Sequence, residues 1–565
     1  MADKYQQLLI EWCDALVRAQ ITDKKDEYYG GFACKSCGFC HGRADNAVYP
    51  LVYVYVLTGK KEYLTAAERL LVFRKKLTKP SGAVQNDFSS AWEGITAFSA
   101  IGLLKTLLYF GDRIPLSFKK EIEACARRSA GFAHQKMGIG FPAYINYYCA
   151  ASLVNALYDE YFHDDAYRAR SKELLDYCLG LFTPNGLLAG EGKPHDDRSP
   201  KGCLPIDIGY IAEESMPCLI HAASVLNDHE ALSFLTQAAK RQLDFFLPDG
   251  GWDNSFGVRN NKWTYYGSRT SDGCIGAFAY LAKTDPLFSV AADRVYRLLK
   301  ACTSDGLLYG GPHYLKTGQN PCIHHTFCHA AALADALHEG ITEPSEPLLL
   351  PLEKEEIGYR FYPELNTYRI CAGDYIATVS GYDYATHHYA GGAAHAGGGT
   401  ISLLYKNGEG ALIAGSVYEY FQTEPNNMQA PVGDKKHASL LPRAEYEKEG
   451  VKYATCLDKD PQITVEVKDG AVLAHVKAKF FAAKTERAED ESLVAEFTYR
   501  FAGGGVTIKM AKNPSVTFVL PLVEGAGEIQ TQNPYQKQPI FFLTGGFSAV
   551  EYTFSCEDDL VIKIV

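Results

Sequence analysis

The hydrophobic period of this chain changes once, and that change constrains the fold more than any other feature. Up to about residue 340, apolar residues recur three and four positions apart. Leu9, Trp12, Cys13 and Leu16 form one such stripe, and Leu64, Ala67 and Leu71 form another; this is the spacing of an amphipathic helix. Beyond Glu343-Pro344-Ser345-Glu346-Pro347 the period becomes two. Ile463, Val465 and Val467 alternate with Thr464, Glu466 and Lys468, and after Asp469-Gly470 the residues Val472, Ala474, Val476 and Ala478 continue on one face. That pattern predicts a β-hairpin closed by a favoured turn dipeptide. Val506, Ile508 and Met510 alternate in the same way.

A helical half followed by a β half is therefore expected. Periodic segments start near residues 4, 43, 61, 89, 116, 144, 165, 206, 229, 272, 287 and 323, which makes twelve helices or six hairpins. Their connections carry turn residues, as in Lys79-Pro80-Ser81-Gly82 and Pro248-Asp249-Gly250-Gly251. Six hairpins suit an (α/α)6 toroid over residues 1–345, and the strands suit an antiparallel β-sandwich over 353–565, with the linker at 343–352. A polar cleft is expected between them.

Composition removes several function classes. The net charge is −11, and no basic stripe marks a nucleic-acid binder. No apolar run of about 18 residues marks a membrane span. The 16 cysteines are scattered through apolar helical contexts and read as reduced core residues. With no signal region after Met1-Ala2-Asp3-Lys4, a cytoplasmic protein is expected. The 37 Tyr and 29 Phe supply rings for sugar stacking, or simply a Tyr-rich core. The oligomeric state stays open, a homodimer being one option.

Several stretches resemble the heparinase II/III-like polysaccharide lyase family. The segment from His387-His388-Tyr389 through His395 to Gly399-Thr400, followed by Ile401-Ser402-Leu403-Leu404-Tyr405, is similar to that family's early β-domain motif. Asn146 stands where the family has an Asn-His pair, although Tyr147 follows here. Asn185-Gly186, Glu191 and Tyr210-Ile211-Ala212-Glu213-Glu214-Ser215 resemble the segment with the catalytic Tyr. Lyases that cut between rhamnose and glucuronate are closest in character. The resemblance implies a toroid plus β-sandwich and β-elimination at a uronate, with a uronate-containing oligo- or polysaccharide as partner and no cofactor required. The family often has zinc in the β domain, but Gly397 and Ala414 stand at two of its ligand positions, so that site is not expected here.

β-Elimination needs a group that neutralises the uronate carboxylate, a base for the α-proton and an acid for the leaving oxygen. Asn146 is the candidate neutraliser and Tyr210 the candidate base or acid, with Glu214 orienting ligand groups. Asn260 to Gly273 is rich in cations, aromatics and small polar residues. Within it Arg269 and Lys262 suit a carboxylate, Trp263 a sugar ring, and Tyr266 proton transfer. His387, His388 and His395 cluster within nine residues, His388 or His395 being the preferred catalytic choice and His387 a contact. Arg43 is expected to face the cleft, and His325, near His324 and His329, to line it or cap its helix.

Cys34-Lys35-Ser36-Cys37-Gly38-Phe39-Cys40-His41 allows three readings: a C-x-x-C-H haem motif, a Cys₃His zinc set, or reduced loop cysteines. A glycoside hydrolase on the same barrel is the main alternative, using Glu191 with Asp196 or Glu213 with Asp272. A non-catalytic carbohydrate-binding protein is the other.

Overall fold

The computed structural model describes residues 3–191, 198–260, 263–268, 272–311, 313–314, 318–354, 356–384, 396–415, 417–418, 420–421, 436–437, 440–483, 492–544 and 547–565. Among these, twelve helices appear in two sets. Six are largely apolar, with a few polar residues: Val48–Thr58, Thr96–Phe110, Ile145–Phe162, the continuous run Ile208–Tyr210, Ile211–Ser215 and Met216–Val225, Ile275–Leu281, and Ile323–His338. Each of these touches the next, and the last touches the first, so they close an inner ring. The other six carry one apolar stripe and pack outside it: Lys4–Ala19, Lys61–Leu77, Leu116–Lys136, Asp165–Leu179, His229–Gln242 and Leu287–Ala301. The two patterns are the sequence counterpart of inner and outer positions in a toroid.

Most helix starts fall within a few residues of expectation. The largest difference is the start near 89, which lies at Thr96. Asp87 there accepts bonds from the Ser89 backbone and hydroxyl, and such local side-chain bonds compete with helix formation.

The β half is antiparallel throughout its described strands. Ile357–Tyr362, Thr367–Ala372, Tyr375–Ser380, Thr400–Lys406 and Gly410–Ala414 form a five-stranded meander. Its middle strand Tyr375–Ser380 is buried at every position. One face contributes Ile376, Leu403 and Tyr405 to the toroid's core, and the other contributes Ala377, Val379 and Leu404 to the β core. A five-stranded and a six-stranded sheet complete that second core. In the six-stranded sheet the expected hairpin forms: Lys468 pairs with Ala471, and Asp469 and Gly470 both take positive φ, as a two-residue turn of this type requires.

Buried polar contacts join the halves. Asp253 accepts from Arg369 (3.1 Å) and Thr378, and the Ser255 hydroxyl bonds that of Ser402 at 2.8 Å. Tyr382 donates to the Leu204 carbonyl at 2.9 Å. The bonds to Asp253 and Ser255 fix the loop 251–260, which carries Arg259.

Candidate active site

Asp207 organises the floor of the site. It caps the helix beginning at Ile208 by accepting from the Tyr210 backbone N–H at 3.0 Å. It also accepts from the Asn254 amide (3.1 Å) and the Arg259 backbone N–H (3.0 Å). Tyr210 and Arg259 are thereby held together, and the guanidinium lies over the Tyr210 ring at 4.1 Å and over Tyr144 at 3.7 Å. Glu191, fully buried, faces Arg259 at 3.4 Å.

The helix then widens into a π-helical turn over Ile211–Ser215, a local form common at functional sites. Glu213 and Glu214 are both buried there, although helical glutamates usually face solvent. Their surroundings differ. Glu213 accepts from Trp252 Nε1 (2.7 Å), the Cys274 backbone (3.1 Å) and Cys274 Sγ (2.9 Å), so it ties structural elements together. Burial raises its pKa to about 7. Glu214 accepts from Asn146 Nδ2 at 2.5 Å. Burial and nearby Asp272 push its pKa up to about 8, against the opposing effects of Arg43 and Asn146. Among the described residues, Asn146 Oδ1 and Glu214 Oε2 are buried without a hydrogen-bond partner.

Arg43 enters from the 3₁₀ turn Gly42–Ala47. A Cβ on Gly42 would lie 1.9 Å from the Gln85 carbonyl oxygen, so only glycine allows this approach. Two residues beyond Arg43, Asp45 pairs with buried Arg74 at 2.6 Å. Arg43 pairs with Asp272 and lies over Phe98 at 4.2 Å. Tyr147 is part of the same cluster, its phenol pushed up by burial and by Glu214. Its hydroxyl accepts from Trp92 Nε1 at 3.2 Å. Trp92 is 38% exposed, an open ring at the rim.

A second group adjoins the first through Asp272. The Tyr266 hydroxyl bonds His325 Nδ1, and its ring meets that of His329 at 4.9 Å. His329 Nδ1 donates to the His325 carbonyl at 3.0 Å, while burial lowers its pKa to about 4.

The structure thus brings together Arg43, Asn146, Tyr210, Glu214, Tyr266 and His325. It corrects Trp263, which is 0% exposed and donates its Nε1–H to the Trp252 carbonyl at 2.9 Å. That ring fills the core under the short hairpin of Trp263–Thr264 and Gly267–Ser268 and presents no face to a sugar. Lys262, Arg269, His387, His388 and His395 lie outside the described residues. Sequence reasoning missed Arg259, Tyr144 and Trp92. At the family's β-domain zinc positions, Gly397 and Ala414 bring no side-chain donor atom. Of the loop cysteines, Cys34 and Cys37 approach Cys322, whereas Cys40 is not in their group.

The profile of the ulvan lyase N-terminal domain matches residues 9–352, and that of the ulvan lyase C-terminal domain matches residues 359–550. The chain belongs to the ulvan lyase family. It is 35% identical over 530 residues to the broad-specificity ulvan lyase of Formosa agariphila, a match covering 91% of this chain and 82% of that protein. Two solved structures share its fold across 100% of the chain at 12% identity. One is the Streptomyces coelicolor A3 chondroitin AC lyase in complex with chondroitin sulphate, with a TM-score of 0.56 and 80% of that chain covered. The other is heparinase III, with a TM-score of 0.51 and 85% covered. This member of the ulvan lyase family is a polysaccharide lyase that cleaves a uronate-containing glycan by β-elimination. The hydrolase and non-catalytic readings are thereby set aside. The proposed hydrolase carboxylates are also otherwise engaged, Glu213 with Trp252 and Cys274 and Glu191 with Arg259.

Proposed function

We propose that the chain cleaves the bond between rhamnose and glucuronate in ulvan-type glycans, with chemistry centred on the Asn146–Glu214 pair. The observation that carries this reading is a buried carboxyl and amide, hydrogen-bonded to each other, between Arg43 and the Arg259–Tyr210 stack. A glucuronate carboxylate placed there meets two cations and two uncharged donors, the Asn146 amide and a protonated Glu214. Those groups stabilise the enolate-like charge that forms as the α-proton leaves. Tyr210, acting as the phenolate, takes that proton, with the Arg259 guanidinium stacked over its ring. Tyr266, backed by His325, returns a proton to the leaving oxygen.

Incubation with glucuronate–rhamnose oligosaccharides, followed by ultraviolet absorbance of the 4,5-unsaturated uronate, tests the reading. Absorbance should rise with these substrates and stay flat with glycans lacking a uronate. Cleavage without that absorbance would overturn it.

We further propose Trp92 as a stacking platform for a sugar next to the cleaved bond. Trp92→Ala should raise KM about 3–10-fold and leave kcat near wild type, the size of one aromatic contact. A fall in kcat with KM unchanged would count against this.

A further inference from the structure

We infer that Cys34, Cys37 and Cys322, with one imidazole from His41 or His324, form a zinc site that closes the toroid. Cys34 and Cys37 flank a tight turn between the paired strands Ala33–Cys34 and Phe39–Cys40. Gly38 takes φ +81, and its N–H bonds the Cys34 carbonyl at 2.8 Å. A glycine is what this left-handed position favours, and two cysteines with two residues between them on such a turn give a common zinc-ligand spacing. The third thiol comes from the far end of the toroid. Cys322 precedes the last inner helix, Ile323–His338, and its sulfur lies 3.9 Å from Cys34 Sγ and 3.5 Å from Cys37 Sγ.

These separations fit metal ligands. With Zn–S bonds of about 2.3 Å, the sulfurs of a tetrahedral site stand about 3.8 Å apart. The three sulfurs lie within 4.8 Å of one another, and so do the ligand atoms of Cys37, His41 and His324. The two imidazole rings are 4.0 Å apart. All five residues are buried, as a closed structural site requires. Cys40 is excluded by strand register. It pairs with Ala33 while Cys34 pairs with Phe39, and cross-strand partners share a face, so Cys40 lies on the opposite face from Cys34. A disulfide would use only two of the three thiols and neither imidazole.

The position gives the metal a structural role. Arg43 follows two residues after His41, and His325 follows His324 directly. A metal joining those segments fixes the first and last inner helices of the ring and, through them, Arg43 and the His325 that backs Tyr266. It takes no part in the reaction.

The test uses the full chain, expressed with zinc, purified under reducing conditions and assayed for metal. One zinc per chain is expected. Replacement by Co(II) should give the thiolate charge-transfer absorption and the intense visible bands of a tetrahedral site. Cys322→Ser should drop bound metal to below about a tenth of an equivalent, since three-thiolate affinity is lost, while Cys40→Ser keeps the full equivalent. His41→Ala and His324→Ala separately identify the fourth ligand by the loss of the tetrahedral Co(II) spectrum. Should Cys322→Ser not fold, stripping wild-type protein with a chelator serves instead: Tm should fall and recover with zinc. Wild-type protein with no stoichiometric metal and no Co(II) spectrum would overturn the site. So would a Cys322 disulfide found by mass spectrometry, or equal metal loss in Cys40→Ser. None of these readouts depends on lyase activity, so failure here leaves the catalytic reading untouched.

Discussion

Tyr210→Phe should lower kcat by about 10²–10⁴, the usual contribution of a positioned acid or base, with Tm close to wild type. Phenylalanine keeps the ring that stacks on Arg259 and fills the same buried volume. The loss should appear in kcat and kcat/KM together, because the hydroxyl acts in the transition state and binds substrate little. Tyr266→Phe is the informative control. It breaks the bond to His325 and should slow release of the leaving group, an effect that a substrate with a better leaving group would relieve. Tyr210→Phe should show no such relief. If Tyr210→Phe keeps more than about a tenth of wild-type kcat, below the range for a lost proton carrier, Tyr210 is not the base.

What was legible in the sequence follows from how far apart the determining residues lie. Helices and their inner or outer positions are set by local spacing, so the period change and most of the twelve starts could be read directly, the start near 89 being displaced to Thr96 by local side-chain bonds of Asp87. The structure brings Asn146, Tyr210 and Glu214 together, and Asn146 and Tyr210 could be picked out as candidates because each sits near a helix start, after turn residues that mark it. Arg259 could not. Its place depends on Asp207, and on Asp253 and Ser255, which bond Arg369, Thr378 and Ser402 of the β half. No local pattern encodes a contact across more than a hundred residues. The misreading of Trp263 has the same origin. In a polar stretch it looked like an exposed ring, but the hairpin turns it into the core, where the Trp252 carbonyl takes its N–H. Glu213 and Glu214 are adjacent in sequence, yet one bonds Trp252 and Cys274 and the other Asn146. That division comes from the π turn, which helical periodicity does not reveal. The thiols show the limit most plainly: Cys34 and Cys37 are readable as a pair, but Cys322 lies 285 residues beyond Cys37.

The Asn146–Glu214 pair makes the second large prediction. Asn146→Ala should cost about 10²–10³ in kcat, the scale for losing one preorganised donor to a developing oxyanion. It also leaves Glu214 without the amide it bonds. The partner should reveal itself through pH. With its pKa pushed up to about 8 by burial and Asp272, Glu214 is neutral below that pH and can donate to the substrate carboxylate. Above it, Glu214 ionises and opposes the substrate's charge. Wild-type kcat/KM should therefore fall about tenfold for each pH unit above about 8. Glu214→Gln keeps an uncharged donor at every pH, so this alkaline limb should vanish while activity near pH 7 is largely retained. Stability must follow the same sign. A carboxyl whose folded pKa is raised stabilises the fold fully below its unfolded value, and that contribution is lost as pH rises through the folded one. Between about pH 4 and 8, wild-type stability from this group declines relative to Glu214→Gln, and above about 8 the variant should have the higher Tm. An alkaline limb that persists unchanged in Glu214→Gln would remove Glu214 from the reaction and leave Asn146 and the two arginines to hold the carboxylate.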